Sequence, residues 1–376
     1  MKKILFYYPQ HFNRNEEGTN PFFKPLLETC QRHNISYRLY EEPGGNGLPH
    51  DHKAKSARNF LLLVRIVRKI VSLVLTHKNY YEREKVVAKI VNSLTLGYYK
   101  SDIYITISGS MFCLFASLNP CAQVYDLQHG ILCKRHKTFF DQTTHKLRSQ
   151  YKNPNLKFML WGDGFKRILV KGDEEVMNNK VNVIGHPLYS NFVVKRLYAK
   201  KCGIHNILFS LQLTDDLSTA QLESMKNEIV EVLEQTKDMN VIIWMKHHPR
   251  YNNCIDISDL FNKYHHAKQT NKTLADLSKK IDLHLTFFST SAFEYASYGI
   301  PTFFCNTSIQ NDGINMFYDE FNYPLYESQS LKEVIETLNN PTTYELHSTI
   351  VKDWCAKHFS PYNESEFLKI VKINNK

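Results

Sequence analysis

Short apolar runs, each followed by a longer helical pattern, recur along the whole 376-residue chain. One series lies at 4–8, 36–40, 103–107, 122–125, 157–161 and 181–184. A second lies at 207–211, 241–245, 283–287 and 302–305. These runs are rich in Ile, Val, Leu, Phe and Tyr and too short for buried helices, so they predict β-strands. The intervening patterns, clearest at 219–235, predict helices. Strand–helix alternation predicts an α/β fold with parallel sheets covered by helices. Two series predict two Rossmann-like units facing a central cleft. The expected divisions are an acceptor-binding domain at 1–187, a donor-binding domain at 188–340, and C-terminal helices at 341–376 that pack back on the first domain.

Composition narrows the partners. Lys and Arg number 47 against 37 Asp and Glu, a formal charge of +10. That balance suits an anionic partner: nucleic acid, a phospholipid surface or a phosphorylated substrate. No nucleic-acid-binding module is evident, so nucleic acid is set aside. The apolar run before Pro9 is too short for a signal sequence, and 60–75 carries Arg65, Arg68 and Lys69, unlike a membrane span. The eight cysteines lack CxxC spacing and do not combine with the 17 histidines at ligand spacing. Reduced cysteines in the cytoplasm and no metal are expected.

In 57–78, Arg65, Arg68, Lys69 and Ser72 fall at i, i+3, i+4 and i+7, a narrow polar stripe on an apolar helix. Two readings stand: a helix mostly buried with its stripe exposed, or an interfacial helix touching anionic lipid headgroups.

The residues suited to chemistry sit at strand ends. Lys246, His247, His248, Pro249 and Arg250 follow one strand, where parallel sheets bind ligands and cations can meet a phosphate. Another strand runs into Ser289, Thr290 and Ser291, then a helix carrying Glu294, closed by Gly299-Ile300-Pro301. Ser289 or Thr290 can cap that helix, and hydroxyls beside free N–H groups favour an anion. Glu294, about a turn further in, is placed to accept hydrogen bonds from ribose hydroxyls. Gln212 and Thr214 end a further strand. In the first half, Asp126-Leu127-Gln128-His129-Gly130, Trp161-Gly162-Asp163-Gly164 and Gly185-His186-Pro187 each end a strand.

Together these motifs resemble GT-B glycosyltransferases. The His248-Pro249 pair and the Ser289-Thr290-Ser291 cluster resemble those of bacterial sialyltransferases and related cytidine-sugar-dependent enzymes. The Gln-His-Gly and Gly-His-Pro loops look like surface-polysaccharide transferases, including polymerases that transfer glycerol phosphate from a cytidine donor. The resemblance spans roughly 128–301. It implies a metal-independent transferase moving a CMP-activated sialic acid- or Kdo-like sugar to a lipopolysaccharide or capsule acceptor. Lys246, His248, Pro249, Ser289, Thr290, Ser291, Glu294 and Gln212 would hold the donor. The sialyltransferase base lies in an acidic-acidic-Gly motif, whereas Gly162-Asp163-Gly164 has one carboxylate. The base is therefore open among Asp163, His129 and Asp126, with Asp163 and His129 ranked equally. A glycan or lipid-linked acceptor places the enzyme in the cytoplasm, peripheral at the inner membrane face.

No Asp-x-Asp, Gly-x-Gly-x-x-Gly, Walker or Gly-x-Ser-x-Gly sequence occurs. That weighs against a metal-dependent transferase, a dinucleotide oxidoreductase, a P-loop kinase and a serine hydrolase. Three alternatives stay open: a UDP-sugar hexosyltransferase, a nucleotide-sugar 2-epimerase of the same architecture, and a non-catalytic polysaccharide- or membrane-binding protein.

Overall fold

A computed structural model describes residues 3–12, 18, 20–44, 48–136, 138–141, 143–171, 173–189, 203–215, 217–248, 251, 253–305 and 314–372. Pro249, Arg250, Gly45 and the basic stretch 193–201 lie outside the described residues. The chain divides into two compact units, Met1–Tyr189 with Ser360–Lys376, and Ser190–Phe359.

Unit 1 carries β1 (Ile4–Pro9), β2 (Tyr37–Glu42), β3 (Lys55–Ser56), β4 (Ile103–Thr106), β5 (Gln123–Leu127), β6 (Leu156–Leu160) and β7 (Val181–Val183). They form one sheet in the order β3-β2-β1-β4-β5-β6-β7, every pair parallel. In β1, Ile4 to Tyr8 are at most 2% exposed. Both faces of that strand are covered, which is why it reads as a continuous apolar run rather than an alternating one. The cover comes from α1 (Lys24–Arg32), α2 (Arg58–Val74), α3 (Tyr80–Leu94), α4 (Gly109–Leu118), α5 (Asp163–Val170) and α6 (Glu174–Met177).

Three residues of the α2 stripe, Arg65, Lys69 and Ser72, are exposed as expected, and the fourth is not. Arg68 turns inward, donating Nε to Oε1 of Glu84 at 2.9 Å and Nη2 to Oε2 at 2.7 Å. Glu84 is buried on α3, so the two-pronged contact ties the helices together. Beside the exposed polar residues, the outward face of α2 also carries exposed Leu62, Ile66, Ile70 and Leu73, so the helix is less buried than its sequence implies.

Unit 2 repeats the plan with β8 (Asn206–Ser210), β9 (Ile242–Lys246), β10 (Ala267–Gln269), β11 (Leu283–Thr286) and β12 (Thr302–Phe304). Their order is β10-β9-β8-β11-β12, again wholly parallel. Its helices are α7 (Thr219–Thr236), α8 (Ser258–Lys263), α9 (Leu274–Ser278), α10 (Ser291–Ser297), α11 (Leu331–Leu338) and α12 (Pro341–Ala356). Ser218 and Gln221 form a capping box that starts α7.

The C-terminal helices, expected together on the first unit, part company. Helix α12 stays in unit 2, where Trp354 stacks on Phe293 of α10 with centroids 4.5 Å apart. The last helix, α13 (Glu364–Lys372), returns to unit 1 and packs on α1. Its Phe367, Ile370 and Val371 join Ile4, Phe6 and Leu26 in one core.

Candidate functional site

In both sheets the strand order reverses beside the first strand of the unit, between β1 and β4 and between β8 and β11. Ligands of open parallel sheets bind outside the carboxyl ends at such reversals.

At the carboxyl edge of unit 1 lies a cavity of about 640 Å³. Its lining includes Gln10 and His11 after β1, His50, Ser108 and Ser110 at the start of α4, and His129 after β5. Glu41 of β2 anchors the wall. It accepts hydrogen bonds from the Tyr8 hydroxyl (2.6 Å), the Gln10 amide (2.8 Å), the His50 backbone N–H (2.7 Å) and that of Asp51 (3.1 Å). Gln10 also donates to the Leu48 carbonyl at 2.7 Å and accepts from the Gly44 N–H. A fully buried carboxylate with four donors is a fixed post for the loops around it.

The three base candidates separate here. His129 faces the cavity, with Phe12 edge-on at 4.6 Å between centroids. Burial pulls its imidazole down to about 4, with His136 and His11 adding to the effect against the Leu127 carbonyl. The ring is thus neutral near pH 7. Its Nδ1 lies 3.1 Å from the Leu127 carbonyl, which can only accept, so Nδ1 carries the proton and Nε2 keeps a lone pair. That tautomer can take a proton, weakly until an anion nearby raises its basicity. Asp126 stands apart from the cavity: it is buried within β5, is not part of the lining, and burial raises its carboxyl well above the usual range. Asp163 opens α5 as an exposed residue outside the cavity lining. A carboxylate in a first helical turn is explained by the helix dipole alone.

The Gly185-His186-Pro187 loop proves to be a seat for the returning chain. The His186 N–H donates to the Ser360 carbonyl at 2.8 Å, and Asn363 N–H to the Ile184 carbonyl at 2.7 Å. Gly185 has φ +80°, and a Cβ there would strike the Pro361 carbonyl.

At the carboxyl edge of unit 2, Lys246 ends β9 half-buried. Its ammonium makes no hydrogen bond or ion pair among the described residues, and burial lowers its pKa. His247 stacks on Tyr251 at 3.9 Å, and its buried Nδ1 has no hydrogen-bond partner among the described residues. His248 is half-buried, its carbonyl accepting the Tyr251 N–H at 2.8 Å.

The hydroxyl cluster splits. Thr290 precedes α10 half-buried, making no side-chain capping bond, and Ser289 Oγ accepts the Ser291 N–H at 3.2 Å. Ser291 points inward, 3% exposed, with Oγ 3.2 Å from Nε2 of His284. His284 is wholly buried and also lies 2.9 Å from Ser210 Oγ and 3.0 Å from Thr302 Oγ1. Burial pulls its imidazole down to about 3, so it is a neutral hub joining β8, β11, β12 and α10. Ser291 therefore belongs to the core rather than to a donor site. Gln212 is likewise consumed: its Oε1 accepts from Thr286 Oγ1 (2.9 Å) and Phe287 N–H (3.1 Å), while Nε2 donates to the Ser210 carbonyl (2.9 Å). It clamps β8 to β11 at the reversal. Glu294 keeps its interest. Its half-buried carboxyl makes no hydrogen bond or ion pair among the described residues, and burial pushes it up to about 7.

Sequence reasoning missed Gln10, His11, His50, Ser108, Ser110 and Glu41. The signal for four of them was present, since Gln10-His11 and Ser108–Ser110 follow the two strands that flank the reversal.

No family's sequence pattern matches the chain, and no curated protein matches it by sequence. Solved structures do. A UDP-GlcNAc 2-epimerase from Neisseria meningitidis bound to UDP-GlcNAc superposes with a TM-score of 0.57 at 14% identity, covering 98% of both chains. The lipopolysaccharide outer core galactosyltransferase WaaB gives 0.53 at 11%, covering 98% of this chain and 99% of that one. The wall teichoic acid polymerase TagF, in a variant soaked with CDPG, gives 0.50 at 13%, covering 99% and 87%. At such identities the likeness establishes the fold: two Rossmann-like domains, as in GT-B proteins.

Proposed function

We propose that the chain is a GT-B glycosyltransferase using a nucleotide-activated sugar. The observation that carries this reading is a pair of half-buried groups at the unit 2 edge, Lys246 and Glu294, that make no hydrogen bond or ion pair among the described residues. A half-buried ammonium without a counter-ion suits a phosphate, and a carboxyl without donors suits ribose hydroxyls. His248, Pro249, Ser289 and Thr290 complete the donor site in this reading; Ser291 and Gln212 support it from beneath.

In the reaction, His129 Nε2 takes the proton of an acceptor hydroxyl as that oxygen attacks the anomeric carbon. The bond from that carbon to the phosphate oxygen breaks, and the nucleotide leaves with its charge beside Lys246. No metal is needed for this balance. A cytidine donor carrying a sialic acid- or Kdo-like sugar follows from the His-Pro resemblance, with a uridine donor as the alternative. The structural relatives support a nucleotide-linked donor in general, one being soaked with CDPG and another bound to UDP-GlcNAc. The acceptor is a lipopolysaccharide or capsule glycan, free or lipid-linked, at the inner face of the cytoplasmic membrane. No described helix is long and apolar enough to cross a membrane.

A 2-epimerase is the second reading, favoured by the 0.57 TM-score over nearly the whole of both chains. Thermal shift against CMP, CDP, UDP, GDP and ADP tests the first. A ligand at 100-fold over Kd stabilises the folded state by about 2.7 kcal/mol. A shift with CMP or CDP alone supports the cytidine donor; a shift with UDP replaces it; no shift removes the enzyme reading. A free epimerised sugar formed from the donor without acceptor identifies the epimerase.

A further inference from the structure

Exposed large apolar side chains are concentrated on one hairpin. Of eleven among the described residues, nine fall between 62 and 98: Leu62, Ile66, Ile70, Leu73 and Val74 of α2, then Tyr80, Leu94, Leu96 and Tyr98 on and after α3. Scattered singly they would need no explanation, but clustered they mark a contact surface. On α2, Leu62, Ile66, Ile70 and Leu73 stand at i, i+4, i+8 and i+11, so they share one face opposite the buried Val64, Val67 and Val71. Ile70 is 54% exposed and Leu73 71%.

We propose that this α2 face lies in the headgroup layer of an anionic lipid bilayer. Charge selects that occupant. Arg58, Arg65 and Lys69 flank the apolar stripe on one side, and residues 58–78 contain no Asp or Glu. Of the acids that reach α2, Glu84 is buried against Arg68 on the inner side, and Glu42 lies 3.9 Å from Arg65. A second copy docking through the same face would set these cations against their own kind, whereas an anionic surface meets both the cations and the aliphatic side chains. The stripe also adjoins the unit 1 cavity. Arg68 of α2 donates to the Ser110 carbonyl at 3.0 Å, Tyr80 of α3 donates to the same carbonyl at 3.4 Å, and Arg65 faces Glu42. Ser110 and Glu42 both line the cavity. A bilayer under α2 therefore brings lipid-borne molecules to the cavity that holds His129. This assignment rests on the transferase reading for the identity of those molecules and not for the membrane contact.

Sedimentation with vesicles of phosphatidylcholine, with and without phosphatidylglycerol, tests it on the full chain. The wild type should pellet with the anionic vesicles at least about tenfold more than with the neutral ones. The combined Leu62→Gln, Ile66→Gln, Ile70→Gln and Leu73→Gln variant should lose that binding, and Arg58→Gln with Arg65→Gln and Lys69→Gln should lose the preference for the anionic lipid. These substitutions are at exposed positions; an unchanged melting temperature checks folding. Equal pelleting of the wild type and the apolar variant overturns the assignment. So does a wild-type dimer in analytical ultracentrifugation that the apolar variant dissolves. Nucleotide titration of the same samples is independent: vesicle binding without any nucleotide shift sinks the transferase reading alone, and the reverse sinks the membrane face alone.

Discussion

The two carboxyl edges share a strand order but not a chemistry. In unit 1 the edge is a cavity walled by side chains already satisfied, with Glu41 holding four donors and His129 kept neutral by burial. In unit 2 the internal hydrogen bonds lie beneath the edge, around His284 and Gln212, and Lys246 and Glu294 above it have no partner among the described residues. A neutral imidazole in a formed cavity suits moving a proton; a lysine and carboxyl so placed suit gripping a charged ligand. One topology thus supports two tasks because the strands fix only where side chains gather.

Substitution can break that division. His129→Ala should lower turnover by about 10²-fold or more while leaving nucleotide affinity unchanged, measured by initial rates and calorimetry. Equal losses in both would mean that the two edges do not divide the work. Gly185→Ala should cost about 2–4 kcal/mol in a denaturant melt, through its positive φ and the Pro361 carbonyl, sharpening where function stops along the unit 1 edge. Lys246→Ala should differ from the His129 change in what it does to binding. It should weaken nucleotide binding about tenfold and also lower turnover at saturating donor, since the departing phosphate leaves beside it.

The smallest effect is a slope. Glu294 is held near 7 against an ordinary 4.5, so the unfolded chain loses that proton first. The contribution is complete below pH about 4.5 and is lost as pH rises toward 7, of order 1–3 kcal/mol. Glu294→Gln should flatten that part of the stability profile. If ribose hydroxyls donate to Glu294, binding favours the ionised form, and nucleotide affinity should rise from pH 6 to 8 in the wild type and not in the variant.

The fold was legible because buried parallel strands favour short apolar runs, and each of the ten runs singled out in the sequence contains a strand. The strands that escaped, β3 and β10, are two or three residues long and partly exposed, so they carry no apolar signature. Site residues were legible as strand ends and not as directions. Ser289, Thr290 and Ser291 look alike in sequence, yet one turn of α10 sends Ser291 into the core beside His284. Gln212 sits where a ligand contact was expected, but its neighbour across the sheet, Thr286, lies 74 positions on and claims its oxygen. Asp126 is interior because β5 is covered on both faces, leaving no solvent side for alternation to reveal. The unit 1 wall joins Gln10, Leu48 and Glu41, which only the β1–β2 pairing brings together.

The return of α13 to unit 1 sets the order in which the protein can be made. Ile4 and Phe6 share a core with Phe367, Ile370 and Val371, so the first strand emerges from the ribosome long before its last partners are synthesised. Unit 2, whose chain is continuous from 190 to 359, has its full set of contacts earlier. The nascent chain must carry an unfinished first unit through the whole synthesis of the second, and its final closure joins segments more than 350 residues apart, a slow step by contact order.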